Sequence, residues 1–144
     1  DVQEVKQPEA ISKHLSATIE LIEKVAQEFP IDRSRIYITG LSMGGYGTWD
    51  AIARYPTMFA AAVPICGGAD VDTATKLNQT PVWNFHGAAD PVVSVDLSRR
   101  IIAAMEQAGG HPKYTEYPGV AHDSWTQTYQ RSELFEWLFA QKRE

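Results

Sequence analysis

The sequence predicts an α/β fold in which a parallel β-sheet lies at the centre of three α/β/α layers. Short runs of β-forming residues alternate with helical patterns, and this alternation requires crossover connections between parallel strands. The run over 36–39 is also nearly apolar throughout, as is typical of a strand buried on both faces. At 144 residues, we expect one domain over residues 1–144.

The helices are predicted from the spacing of apolar residues and from the residues that end each pattern. Apolar positions recur every three or four residues over 9–29, which predicts an amphipathic helix that ends at Pro30. Three further helices are predicted over about 46–55, 94–108 and 128–142. We expect the last helix to bury four apolar side chains, those of Leu134, Phe135, Trp137 and Leu138.

The predicted strands locate the part of the fold where chemistry is expected. Runs rich in β-branched and aromatic residues predict strands over 36–39, 60–65, 82–85 and 113–117. In a parallel sheet, the carboxyl ends of the strands lie at one edge, and functional residues gather there. The residues that directly follow these strands are therefore the first candidates for a site.

Composition and charge argue against several classes of function. A net charge of −5 does not favour binding to nucleic acid or to an anionic membrane. No apolar run approaches the roughly 20 residues that a membrane span needs. Cys66 is the single cysteine, so no internal disulfide can form. The chain begins with Asp1 rather than methionine, which leaves its cellular compartment open between cytoplasmic and secreted.

The strongest motif is Gly40-Leu41-Ser42-Met43-Gly44, which follows the first strand and precedes a helix. This is a G-x-S-x-G nucleophile elbow in its required strand–turn–helix context. Ser42 is predicted to adopt a strained backbone that exposes its hydroxyl, and we expect a side chain at position 40 or 44 to collide with neighbouring elements. The backbone amide of Met43 is placed to donate to an oxyanion.

A serine nucleophile needs a base, and the base needs an orienting acid. Asp90 follows the third strand and His122 follows the fourth, which gives the chain order serine, acid, histidine that this elbow requires. Asp70, Asp72, Asp96 and Asp123 are the competing acids. Hydrogen bonding within a loop accounts better for Asp70 and Asp72, and a helix start accounts better for Asp96. Asp123 is adjacent to His122 in the sequence and badly placed to reach its Nδ1. His14 and His111 are expected to be solvated, and His86 to be a structural hydrogen-bonding residue.

The remaining candidates are weaker. No histidine or cysteine pair has the spacing of metal ligands, so no metal site is predicted, and no cofactor is expected. Cys66 is interpreted as a small buried residue. Trp49 and Trp83 are expected in the core. Trp125, three residues after His122, is interpreted either as a wall of the substrate pocket or as loop packing.

The residues from Asp32 to Gly45, the loop from His86 to Asp90, and the segment from Gly119 to Trp125 resemble the phospholipase/carboxylesterase type of α/β-hydrolase. Feruloyl-esterase-like enzymes and peptidases of the prolyl-oligopeptidase type are relatives of that family. The resemblance implies that Ser42 is the nucleophile, Asp90 the acid and His122 the base.

The resemblance also implies that this sequence corresponds to the C-terminal part of an α/β-hydrolase fold. Members of the family have further strands before the elbow, and a loop there supplies the second oxyanion donor. The strand over 36–39 would then be an exposed apolar edge that invites pairing. We expect either a homo-oligomer or pairing of this edge with a missing N-terminal segment.

These expectations lead to a serine carboxylesterase that acts on small esters through an acyl-enzyme. Its activity should rise as His122 loses a proton, between roughly pH 6 and 7.5. Two alternatives are left open: a serine peptidase of the prolyl-oligopeptidase type, and a non-catalytic interaction domain that keeps the hydrolase scaffold.

Overall fold

Four parallel strands form one sheet in the computed structural model, which describes residues 4–144. The strand order in the sheet, β1-β2-β3-β4, is the same as the order along the chain. The elements are α1 (Lys13–Glu28), β1 (Tyr37–Leu41), α2 (Met43–Arg54), β2 (Ala61–Ile65), α3 (Ala74–Leu77), β3 (Trp83–Gly87), α4 (Val95–Gln107), β4 (Lys113–Tyr117), α5 (Trp125–Tyr129) and α6 (Ser132–Ala140). The predicted α/β class with a parallel sheet is confirmed.

Two apolar clusters cover the two faces of the sheet. Successive residues of β2 point to opposite faces, so Ala62 joins one cluster while Ala61 and Val63 join the other. The first cluster contains side chains from α1 to α4: Leu15, Trp49, Ile52, Leu77, Ile101 and Met105. The second contains side chains from β3 and α6: Trp83, Phe85, Leu134 and Leu138. The helices therefore form layers on both sides of the sheet, and Trp49 and Trp83 lie in the core as predicted.

Pro64 interrupts the pairing between β2 and β3. Proline has no N–H to give to a sheet, and the two strands pair only at Ile65 with Phe85 and through an isolated bridge between Ala62 and Val82. The side-chain amide of Asn84 donates to the Pro64 carbonyl at 3.0 Å in the buried centre of the sheet. A side chain thus replaces part of the backbone ladder.

Several predicted boundaries need correction. The first helix begins at Lys13 rather than residue 9, because the Ser12 hydroxyl caps it by accepting the Leu15 amide at 3.1 Å. The first and third strands each extend two residues beyond the prediction, to Leu41 and Gly87. The fourth strand lies exactly where it was expected, at Lys113–Tyr117.

The prediction of one continuous final helix over 128–142 is wrong. The chain forms the short helix α5 and then α6, with Arg131 in extended backbone between them. At this break the Arg131 guanidinium lies 5.5 Å from the centre of the Trp83 ring. Leu134 and Leu138 are buried as predicted, Trp137 is only partly buried, and Phe135 is 38% exposed.

Strand β1 lies at the edge of the sheet formed by residues 4–144, and it pairs with β2 alone. The edge position expected for this strand is therefore present, and its pairing with another copy or segment stays a prediction. Over the same residues, every helix is too short or too polar to cross a membrane.

Candidate active site

Ser42 lies in the turn between β1 and α2, with φ 53° and ψ −116°. A positive φ is unfavourable for a residue with a side chain, so the flanking structure must hold this turn in place. The Ser42 amide donates to the Ile65 carbonyl at 2.9 Å, and the Ser42 carbonyl accepts from the amides of Gly45 and Tyr46 at 2.8 and 3.1 Å. These backbone bonds fix the direction of the serine hydroxyl.

The glycines around Ser42 allow close backbone contact, and one expectation about them is wrong. A Cβ at Gly40 would overlap the Gly44 carbonyl, as predicted. A Cβ at Gly44 would meet no atom within 4 Å, so the predicted collision does not occur there. The crowded position is its neighbour Gly45, where a Cβ would overlap the Ile65 carbonyl because α2 starts directly against the end of β2.

The loop after β4 carries His122 across the sheet to Ser42. With neighbouring strands about 4.8 Å apart, β1 and β4 are separated by about 14 Å. The amide of Ala89, in the loop after β3, donates to the Val120 carbonyl at 2.9 Å and joins the two loops. The Nε2 atom of His122 lies 2.8 Å from Ser42 Oγ, although 80 residues separate the two in sequence.

Asp90 contacts the other nitrogen of the same imidazole. Its Oδ2 atom lies 2.7 Å from His122 Nδ1, and its Oδ1 atom accepts the amides of Val92 and Val93 at 2.8 and 2.9 Å. The carboxylate has no exposed surface. Burial opposes its charge, but the hydrogen bonds from His122 and from the two amides outweigh burial, so the pKa of Asp90 lies below its ordinary value.

The charge on Asp90 determines which ring nitrogen of His122 carries the hydrogen. An ionised carboxylate only accepts hydrogen bonds, so His122 Nδ1 carries the hydrogen that points at Asp90. In the neutral ring, Nε2 is then an acceptor, and it faces the hydroxyl of Ser42. The arrangement can take a proton from Ser42 and hold the resulting imidazolium against a carboxylate.

Met43 is the first residue of α2, so its backbone N–H has no acceptor within the helix. This amide belongs to the residue directly after Ser42, as the oxyanion expectation requires. The Met43 side chain is 84% exposed. It therefore contributes little to the core, and its backbone is the part relevant to the site.

His86 is hydrogen bonded as expected of a structural residue, and it also lies close to Asp90. Its ring is fully buried, with Nδ1 2.7 Å from Ser98 Oγ and Nε2 2.9 Å from the Val93 carbonyl. The Nε2 atom lies 3.3 Å from Asp90 Oδ2 as well. Sequence reasoning missed this last contact. The available signal was the four-residue spacing of His86 and Asp90 in one strand–loop segment.

Cys66 is buried as predicted, but it is not merely an apolar filler. It has φ 41°, and its Sγ accepts the Ser42 amide at 3.3 Å. Among residues 4–144, Cys66, Asp90 and His122 form one set of possible metal ligands, with ligand atoms within 4.8 Å of one another. Asp90 and His122 already bond to each other, and burial raises the pKa of the Cys66 thiol, so both features oppose cation binding.

Trp125 begins α5 and packs edge-to-face against His122, with ring centroids 5.3 Å apart. Its indole is half-buried and also contacts the second apolar cluster. The ring therefore covers one side of the His122 imidazole. Whether it also lines a substrate pocket stays a prediction.

None of the competing acids and histidines takes part in the contacts that join Ser42, His122 and Asp90. Asp70 caps the 3₁₀ turn that begins at Val71, and Asp96 bonds to Arg99 at 2.8 Å. Asp123 caps its own loop by accepting the amide and hydroxyl of Thr126 at 3.2 and 2.7 Å. Asp72 bonds to Lys6 at the surface, and His14 and His111 are exposed, as expected.

An open groove of about 730 Å³ runs beside β1, between the segment around Gln7 and the start of α2. Thr39, Met43 and Tyr46 contribute to its wall. Ser42, Asp90 and His122 are not among its lining residues. The groove is thus adjacent to the turn at Ser42, but it does not include the contacts among Ser42, His122 and Asp90.

The phospholipase/carboxylesterase family model matches residues 1–135. The chain belongs to this family. Its relatives include a bifunctional acetylxylan esterase/xylanase from Neocallimastix patriciarum, which is 32% identical over 95 residues, or 65% of this chain and 13% of that protein. Acyl-protein thioesterase 1 from Debaryomyces hansenii is 26% identical over 137 residues, or 86% of this chain and 59% of that protein.

The solved structures agree with this assignment. A thermostable esterase superposes with a TM-score of 0.89 at 48% sequence identity, over 92% of this chain. The match covers 38% of the esterase. The chain therefore spans well under two thirds of that protein and of the acetylxylan esterase. The α/β-hydrolase fold and membership of a hydrolase enzyme family are established for the region that matches.

Proposed function

We propose that this chain contains the nucleophile, base and acid of a serine carboxylesterase, and that these residues are Ser42, His122 and Asp90. One observation carries the proposal. A single imidazole joins a serine hydroxyl at 2.8 Å to a buried carboxylate at 2.7 Å, at the carboxyl ends of parallel strands. A packing or surface role requires no such alignment of three side chains from three loops.

In the first step, Ser42 Oγ attacks the carbonyl carbon of an ester. His122 Nε2 takes the hydroxyl proton as the new C–O bond forms, and Asp90 stabilises the imidazolium through Nδ1. The tetrahedral intermediate then collapses. The bond to the leaving alcohol breaks, His122 returns the proton to that oxygen, and the acyl group stays on Ser42.

In the second step, a water molecule replaces the alcohol. His122 Nε2 removes a proton from the water as it attacks the acyl carbon, and the carboxylic acid leaves when Ser42 Oγ takes the proton back. The enzyme returns to its starting state with no net change in charge. Neither step requires a redox cofactor.

The developing negative charge on the carbonyl oxygen needs hydrogen-bond donors, and we assign one of them to the Met43 amide. This amide lies at the N-terminus of α2, where the helix dipole also favours a negative charge. One donor of this kind is worth about 10²–10³ in kcat. Trp125, packed against His122, is proposed as a wall of the acyl or alcohol pocket.

The choice of an ester substrate is supported by the names of the similar proteins. A solved esterase is 48% identical to this chain, and an acetylxylan esterase and an acyl-protein thioesterase are among the sequence relatives. All three names denote transfer of an acyl group from oxygen or sulfur to water. We therefore propose small carboxylic esters as the substrate class.

Intact-mass spectrometry after treatment with a fluorophosphonate tests the activated serine. We expect one adduct on the wild-type chain, no adduct on Ser42→Ala, and strongly slowed labelling of His122→Asn and Asp90→Asn. His111→Asn and Asp123→Asn are the matched controls and should label at the wild-type rate. Failure of the folded wild-type chain to label, or an adduct that persists in Ser42→Ala, would contradict the proposal.

Substrate class is tested separately by turnover. We expect hydrolysis of p-nitrophenyl acetate or butyrate. We expect no cleavage of a short peptide that carries a p-nitroanilide leaving group. Faster cleavage of the peptide would replace the esterase proposal by the peptidase alternative while leaving the roles of the three residues intact.

A further inference from the structure

We propose that His86 is a positioning residue of this site, which holds the Asp90 carboxylate in the orientation that meets His122. The inference rests on the proposed function and adds a fourth side chain to it. Two contacts carry it: the buried His86 ring reaches the acid directly, and the remaining hydrogen bonds of that ring fix which nitrogen carries the hydrogen.

The tautomer of His86 follows from its partners. The Val93 carbonyl, 2.9 Å from Nε2, can only accept a hydrogen bond, so Nε2 carries the hydrogen. In the neutral ring, Nδ1 is then an acceptor, and the Ser98 hydroxyl donates to it at 2.7 Å. Burial lowers the pKa of His86 below its ordinary value, although the bond to Val93 and the nearby Asp90 oppose this effect. The ring thus presents an N–H dipole rather than a charge.

This N–H donates to Val93 and also lies close to the carboxylate of Asp90. His86 Nε2 lies 3.3 Å from Asp90 Oδ2, the oxygen that also accepts His122 Nδ1–H at 2.7 Å. The other oxygen, Oδ1, accepts the amides of Val92 and Val93. Three hydrogen bonds and the nearby His86 N–H therefore surround the carboxylate, two of these groups beside each oxygen, and they oppose rotation about the terminal bond of the side chain.

The burial of Asp90 explains why a fourth donor is useful. Its side chain has no exposed surface, so no solvent compensates the charge. A buried carboxylate that loses a donor becomes harder to ionise, and a protonated or rotated Asp90 no longer orients His122 for proton transfer. His86 is rigid because its ring is buried and bonded on both nitrogens, which suits it to this role.

Three titratable groups face His86 from the surrounding elements. Asp90 and His122 lie in the loops after β3 and β4, and Glu116 is its direct neighbour on β4. Glu116 is ion-paired with Arg99 at 2.6 Å, which balances its charge. A pH effect of changing His86 should therefore appear in the titration of Asp90 before any other group.

The test compares His86→Leu, which removes the donor, with His86→Gln, whose side-chain amide restores one near the position of Nε2. His111→Leu is the matched control, because it makes the same substitution at an exposed histidine that has no role in the site. For His86→Leu we expect about a tenfold fall in the rate constant for fluorophosphonate labelling. The His86→Gln and His111→Leu proteins should stay within about threefold of wild type.

A second measurement does not depend on catalysis. The carboxyl ¹³C signal of Asp90, assigned by comparison with Asp90→Asn, is titrated in each folded protein. We expect the pKa of Asp90 to rise in His86→Leu and to return toward the wild-type value in His86→Gln. If His86→Leu does not fold, His86→Asn replaces it, because its shorter amide does not extend to Asp90.

The outcomes separate the two proposals. An unlabelled wild-type protein would reject the proposed function, and the carboxyl titration would still decide whether His86 acts on Asp90. An Asp90 titration that is the same in wild type, His86→Leu and His86→Gln would overturn the inference, even if the labelling rate fell. A fall in rate without rescue by glutamine would likewise assign His86 to folding alone.

Discussion

The Cys66 thiol lies 3.3 Å from the backbone nitrogen of Ser42, and these are the two non-glycine residues with positive φ in the described part of the chain. The strained end of β2 thus contacts the strained end of β1. The same Ser42 amide also donates to the Ile65 carbonyl, so it is shared between two acceptors. The backbone that exposes the serine hydroxyl is therefore supported from the neighbouring strand as well as from its own helix.

Cys66→Ala should destabilise the protein by about 1–2 kcal/mol, because it removes a buried sulfur and one acceptor of the Ser42 amide while leaving the positive φ in place. Cys66→Ser should lose less, since its hydroxyl can still accept that amide. Urea unfolding of both variants measures the difference. Equal stability of Cys66→Ala and wild type would show that the thiol contact contributes nothing to the turn.

Gly40→Ala and Gly44→Ala should have opposite effects on stability. At Gly40, a Cβ would overlap the Gly44 carbonyl, so we expect a loss of about 3 kcal/mol or more. At Gly44, within the first turn of α2, a Cβ meets no atom, and alanine favours the helix by up to about 1 kcal/mol. Thermal or urea unfolding of the pair checks this. A larger loss at Gly44 than at Gly40 would contradict the geometry of the turn.

Asp90 should make the folded state sensitive to acid. Its pKa is lowered in the folded protein, mainly by His122 and the two amides acting against burial. The stability that it supplies is present above the ordinary carboxyl pKa of about 3.9 and is lost as pH falls through the lower, folded value. Chemical unfolding from pH 6 downward should therefore show a shallower acid loss in Asp90→Asn than in wild type.

The matched protein for that comparison is Asp123→Asn, in which the neighbouring surface carboxylate is removed instead. The other acids contribute equally to all three proteins, so the difference in slope isolates Asp90. An identical acid profile for wild type and Asp90→Asn would argue that the carboxylate gains no net hydrogen-bond energy on folding.

Trp125→Ala should lower kcat/KM by about two- to tenfold, because the ring that packs edge-to-face on His122 is worth roughly 0.5–1.5 kcal/mol. Trp125→Phe keeps an aromatic edge and should stay within about threefold of wild type. Steady-state kinetics on p-nitrophenyl acetate and hexanoate separates the two interpretations of this residue. A change confined to one ester assigns Trp125 to the pocket, and an equal change on both assigns it to positioning of His122.

The sequence was most informative where a functional side chain directly follows a predicted strand. Ser42, Asp90 and His122 were named because each follows a predicted strand, and the structure brings them within hydrogen-bonding distance. Their catalytic roles remain proposals. The parallel sheet and its strands were predictable for the same reason, since apolar runs and breaks between them are local properties.

The errors arose where a distant element decides the outcome. Whether Gly44 or Gly45 is crowded depends on how α2 approaches the end of β2, and neither residue carries a local signal for it. At the break near Arg131, the side chain contacts Trp83 of β3, a partner that no local pattern indicates. The contact of His86 with Asp90 was missed because it requires the loop after β3 to fold back over the end of that strand.

The strand order has a consequence for how the molecule can be monitored. Each strand pairs with the one that precedes it in the chain, so the sheet can be assembled by successive additions from β1 to β4. Ser42 belongs to the first addition and His122 follows the last, 80 residues away. Reactivity at Ser42 should thus appear only when all four strands have paired. The extent of covalent labelling at Ser42 would then measure the fraction of molecules that have folded completely.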